Sequence, residues 1–66
     1  MNIDYVKKIV ADIEGAKGDD ETAHGIEDGL RHEFIEFIAN SGPPELAELA
    51  AEVLKSEDIV FCRWCA

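Results

Sequence analysis

Apolar residues recur at helical spacing along most of this chain, and three stretches carry the pattern. In residues 2–16, Ile3, Val6, Ile9, Val10, Ile13 and Ala16 share one face, with Tyr5 at its edge and Lys7, Lys8, Asp12 and Glu14 on the other. Asn2 can cap this helix, Asp4 and Lys8 are spaced for an i,i+4 pair, and Gly15 to Gly18 should stop it. In residues 20–40, Ala23, Ile26, Leu30, Phe34, Phe37 and Ile38 fall within about a third of the circle, as a buried stripe requires. Asp19, Asp20 or Thr22 can accept from its first-turn amides, and Asn40-Ser41-Gly42-Pro43-Pro44 closes it. The third stretch, 44–55, starts on a proline and buries Leu46, Leu49, Ala50, Val53 and Leu54, with Ala47 and Ala51 widening the face. Both links are short, so the first two helices should run as an antiparallel hairpin.

Three features fit this scheme poorly. Gly25 and Gly29 sit one turn apart inside the second helix, each costing about 1 kcal/mol against alanine. Either the first turn is irregular, or the pair admits a close backbone, from a neighbouring helix or a second copy. Glu27 projects near the apolar stripe. The tail, residues 56–66, is too apolar for a frayed end: Ile59, Val60 and Phe61 favour extended structure but have no second strand to join. It should fold back over the helices as a short extended or single-turn segment, with Trp64 filling a groove; the alternative is a strand paired with its counterpart in a dimer.

The 66 residues make a single helical domain, 1–66, whose small size buries only about 60% of its unfolded surface. Dimerisation would supplement so small a core. Six basic against fifteen acidic residues leave a net charge of −9. That disfavours direct contact with nucleic acid or anionic lipid and suits a basic protein partner or imitation of nucleic acid. The opening MNIDYVKKIVADIEG is charged throughout and no apolar run reaches membrane-spanning length, so a cytoplasmic protein with no membrane contact is expected.

Chemistry-bearing groups are few. His24, Asp28 and His32 lie at i, i+4 and i+8, with Arg31 beside them. Adjacent members can chelate one ion, but the outer pair is about 12 Å apart by helix rise, too far to share it. Cys62 and Cys65 have the spacing of a thiolate pair for zinc, to which His24 or His32 would have to add ligands. A redox role would need a helix after the motif, and the chain ends one residue later. Packed or exposed thiols account for the pair more simply, and no cofactor is implied. There is no glycine-rich phosphate cradle and no histidine-activated nucleophile, so an enzyme is not expected. Glu45, Glu48 and Glu52 align opposite the apolar face of the third helix, either as a solvated face or as an acidic stripe for a basic partner.

Two segments, Ala23-His24-Gly25-Ile26-Glu27-Asp28-Gly29-Leu30 and Glu57-Asp58-Ile59-Val60-Phe61-Cys62-Arg63-Trp64, bear on origin. They resemble a loose group of short proteins encoded by bacteriophages and integrated elements. Members read Ala-His-x-x-Glu-Asp-x-Leu in mid-chain and end in Ile-x-Phe-x-Arg-Trp. The resemblance implies a phage or mobile-element setting within a bacterial host and marks His24, Glu27, Asp28, Arg63 and Trp64. Where the group tends to end in tyrosine-alanine this chain has Cys65-Ala66, which weakens a general metal role for the cysteines. Physically, Glu27 or Asp28 can hold Arg63 by a two-pronged charged hydrogen bond while Trp64 packs beside it, latching the tail.

The expected fold is all-α, a compact three-helix domain with an apolar C-terminal tail packed across the helices. The leading functional expectation is a small acidic phage-type accessory protein that binds another protein, most concretely as an inhibitor of a bacterial defence nuclease acting through Glu45, Glu48, Glu52, Asp19, Asp20 and Glu21. A zinc protein using the cysteines, and a structural or assembly factor without an active site, are the competing expectations, with a homodimer compatible with each.

Overall fold

A computed structural model of the chain describes residues 1–61. Three α-helices follow one another, α1 (Ile3–Gly15), α2 (Asp20–Ser41) and α3 (Pro44–Leu54), and a 3-10 turn at Lys55–Asp58 extends α3. The described residues contain no strand, so the all-α reading holds and the helix bounds fall within a residue or so of those expected. The chain divides into two compact units, Met1–Glu33 and Phe34 onward, with the boundary inside α2.

The helix starts follow from local chemistry. The Asn2 side chain accepts from the Tyr5 amide at 2.9 Å and satisfies one first-turn donor of α1. Asp19 does the same for α2, accepting from the Thr22 amide at 3.2 Å and the Thr22 hydroxyl at 2.9 Å. Those two bonds, the backbone one first, hold the Asp19 carboxyl below its ordinary range. Of the three candidate caps it is Asp19 that acts. At α3 no side chain caps the start. Pro44 occupies the first turn, where a missing N–H costs nothing.

The stops differ from expectation in mechanism. No residue, glycine or otherwise, has a positive φ among those described. Helix α1 ends not on a left-handed glycine but on Ala16 (φ −97°), whose amide is shared among the Asp12, Ile13 and Glu14 carbonyls. At the end of α2 the Gly42 amide donates to the Ile38 carbonyl at 2.8 Å. A β-carbon at Gly42 would lie 2.7 Å from that same oxygen. Glycine is needed there for close approach rather than for an unusual backbone angle.

Burial is sparse. In the first unit Val6, Ile9, Ile13, Ala16, Ala23, Ile26 and Leu30 are half-buried, while Ile3 and Val10 on the flanks of the same α1 stripe are exposed. In the second unit Ala50 alone is buried among the described residues, and Ile35, Ile38, Ala39, Ala47 and Leu54 are half-buried. The expected apolar stripes are therefore covered along one side only. Ile59, Val60 and Phe61, the apolar residues in the described part of the tail, are exposed, Val60 at 98%. The placement expected for Trp64 lies outside the described residues.

Candidate functional site

The surface that stands out belongs to the second unit and is built by α3 with the last two turns of α2. At about 100° per residue the apolar positions of α3 sweep roughly 200° of its circumference, from Leu49 through Val53, Leu46, Ala50, Leu54 and Ala47 to Ala51. A single neighbouring helix covers an arc of little more than about 100°. The structure shows which half is covered: Ala47, Ala50 and Leu54 turn inward, whereas Leu46 (50%), Leu49 (64%) and Val53 (52%) remain open. The last three were expected in the core, and the excess width of the apolar arc was the signal against that assignment.

On the α2 side the open region continues over Phe34, Ile35 and Ile38. Together with Leu46, Leu49, Ala50 and Val53 these residues line an open groove of about 350 Å³. Every lining residue is apolar. Exposed apolar surface gathered into one groove is uncommon on a soluble monomer.

The acidic stripe borders this groove. Glu45, Glu48 and Glu52 occupy roughly 60° of α3 directly beyond Leu49 on the wheel. All three are exposed. Lys55 reaches back to Glu52 at 3.2 Å, but both side chains are about 70% exposed, so this pair is a weak tether. The predicted acidic set and an unpredicted apolar groove are thus neighbours on one helix. The second predicted acidic set sits at the start of α2: Asp19 is occupied as the cap, while Asp20 and Glu21 are exposed in the first turn, where the helix dipole favours negative charge.

Two pairs of polar side chains on α2 lie one turn apart. His24 Nε2 lies 3.1 Å from Asp28 Oδ2, and Arg31 lies 3.5 Å from Glu27. Glu27, near the apolar stripe, is half-buried with its carboxylate toward Arg31. The expected Asp4–Lys8 pair is replaced by Lys8–Asp12 at 3.3 Å. Among the described residues no group of three or more His, Cys, Asp or Glu side chains is placed to hold a metal ion. Cys62 and Cys65, and the Arg63 and Trp64 of the expected latch, lie outside the described residues.

One interaction escaped sequence reasoning. The Tyr5 hydroxyl donates to Glu33 Oε2 at 2.6 Å, joining the first turn of α1 to α2 across 28 residues. Accepting that proton favours the neutral phenol, and the bond, ahead of desolvation and the nearby negative charge, raises the Tyr5 hydroxyl above its ordinary range. The bond supports the hairpin expected of the first two helices. No spacing rule links residues so far apart, so the sequence offered no signal for it.

Gly25 and Gly29 have nothing within 4 Å of where a β-carbon would sit.

No described helix is long and apolar enough to cross a membrane. Comparison with protein-family models, with curated proteins and with solved structures finds no match.

Proposed function

We propose that this protein works by docking onto another protein with a basic surface, as a small acidic accessory factor of the phage or mobile-element kind acting in the cytoplasm of a bacterial host. The observation that carries this reading is the exposed row of Glu45, Glu48 and Glu52 on a chain of net charge −9. Opposite charge on a partner steers encounter and fixes orientation. A bacterial defence nuclease is the most concrete target, because an enzyme that binds nucleic acid carries a basic channel that such a surface can occupy. Asp20 and Glu21 supply a second acidic patch, and Asp19 contributes mainly by holding α2 in shape. No bond-making step is assigned to the chain.

The test is binding to candidate nucleases as a function of salt. Affinity should fall by roughly tenfold or more as the Debye length shrinks from about 10 Å at 0.1 M to about 3 Å at 1 M. Converting Glu45, Glu48 and Glu52 together to lysine should abolish binding without unfolding α3. Salt-indifferent binding, or full affinity in the triple variant, contradicts the proposal.

The open groove favours a second reading, an assembly factor that lends a helical face to a larger particle. It predicts a constitutive complex, stable in high salt. Zinc binding through Cys62 and Cys65 has no comparable support among the described residues, and metal analysis of native protein would decide it.

A further inference from the structure

We infer that the groove between α3 and the end of α2 receives an amphipathic helix of the partner, apolar side inward and basic along one edge. This rests on the protein-binding reading above and names the part of the partner that is bound. An apolar groove between two helices matches the way amphipathic helices are commonly recognised, by side chains at i, i+3, i+4 and i+7. On α3 the groove runs from Leu46 to Val53, about 12 Å at 1.5 Å per residue, so two to three turns of a helix span it.

Charge selects among possible occupants. Leu49 and Val53 open directly beside Glu45, Glu48 and Glu52, so a helix seated on the leucine and valine side chains lays one flank along three carboxylates. A flank of lysine or arginine is attracted there. A second copy of this chain would bring a further nine negative charges against the first nine, and like charges set face to face are a penalty. The basic flank of that helix faces the row Glu45, Glu48 and Glu52, and its apolar side faces Leu46, Leu49 and Val53.

The experiment titrates the full chain with three synthetic peptides of equal length. One is an amphipathic leucine–lysine helix, one has the same apolar face with glutamate for lysine, and one is lysine-rich with no apolar face. The inference predicts that the first binds at least about tenfold more tightly than either other. Leu49→Ser and Val53→Ser, at positions already open to solvent, should each weaken it several-fold with an unchanged helical spectrum. Equal binding of both lysine peptides, unaffected by Leu49→Ser, overturns the groove and leaves the acidic-surface reading standing. Failure of both lysine peptides to bind overturns both. A dimer that dissociates in Leu49→Ser gives the groove to a second copy, and tighter peptide binding in Trp64→Ala gives it to the chain's own tail; either result overturns the inference.

Discussion

At the scale of single residues, four positions test the local account. Gly25 and Gly29 sit in helical backbone with open space where a β-carbon would go. Alanine at either should stabilise the fold by about 1 kcal/mol in urea or thermal unfolding. A loss of stability that depends on protein concentration would instead show that a second copy uses the gap. Gly42 is the opposite case. Alanine there meets the Ile38 carbonyl at 2.7 Å and should cost about 1–3 kcal/mol by the same measurement. Sequence alone places Gly25 and Gly29 inside the second helix and Gly42 at its end; which of them a β-carbon would crowd is seen only from their surroundings. Tyr5 is the chain's one tyrosine, so ultraviolet titration reports it directly. Its midpoint should lie above that of a free tyrosine and return toward it in Glu33→Gln. Because the folded value is raised, the stabilisation from this bond is fully present below the unfolded pKa of about 10. It is lost as pH rises through the folded value.

At the scale of elements, the three helices were legible because their starts and apolar periods are local properties. Asn2, Asp19 and Pro44 each mark a start by chemistry that acts within one turn. What was not legible was how much of each apolar stripe is covered, since that depends on neighbours. The same α3 pattern that correctly predicted a helix led Leu46, Leu49 and Val53 to be placed inside. Glu45, Glu48 and Glu52 were expected opposite the apolar face; they are exposed and border the open part of it, and the groove beside them was missed for that reason. The Asp19 cap makes a pH prediction of opposite sign to Tyr5. Its folded carboxyl is depressed, so the cap is fully effective above the unfolded pKa of about 3.9. It fails as pH falls through the lower, folded value. Asp19→Ala should remove that acid-side loss, seen as a flatter dependence of the helical signal on pH.

For the molecule as a whole, sparse burial and high charge pull in the same direction. Few side chains are well covered, and fifteen acids against six bases repel one another in the folded state. Added salt should therefore raise the melting temperature of the free chain while weakening its hold on a basic partner. A partner that binds only the folded form stabilises it by mass action, about 2.7 kcal/mol at a hundredfold excess over Kd. On the proposed reading, the groove and the acidic stripe left uncovered in isolation are the surfaces a partner would cover.

The most direct test of that claim is nuclear magnetic resonance mapping of the backbone amides during titration with the leucine–lysine peptide. Shifts should gather on α3 around Leu46, Leu49 and Val53 and on α2 from Phe34 to Ile38, and should diminish as salt is raised. Shifts concentrated on α1, or an unchanged spectrum at saturating peptide, would contradict it.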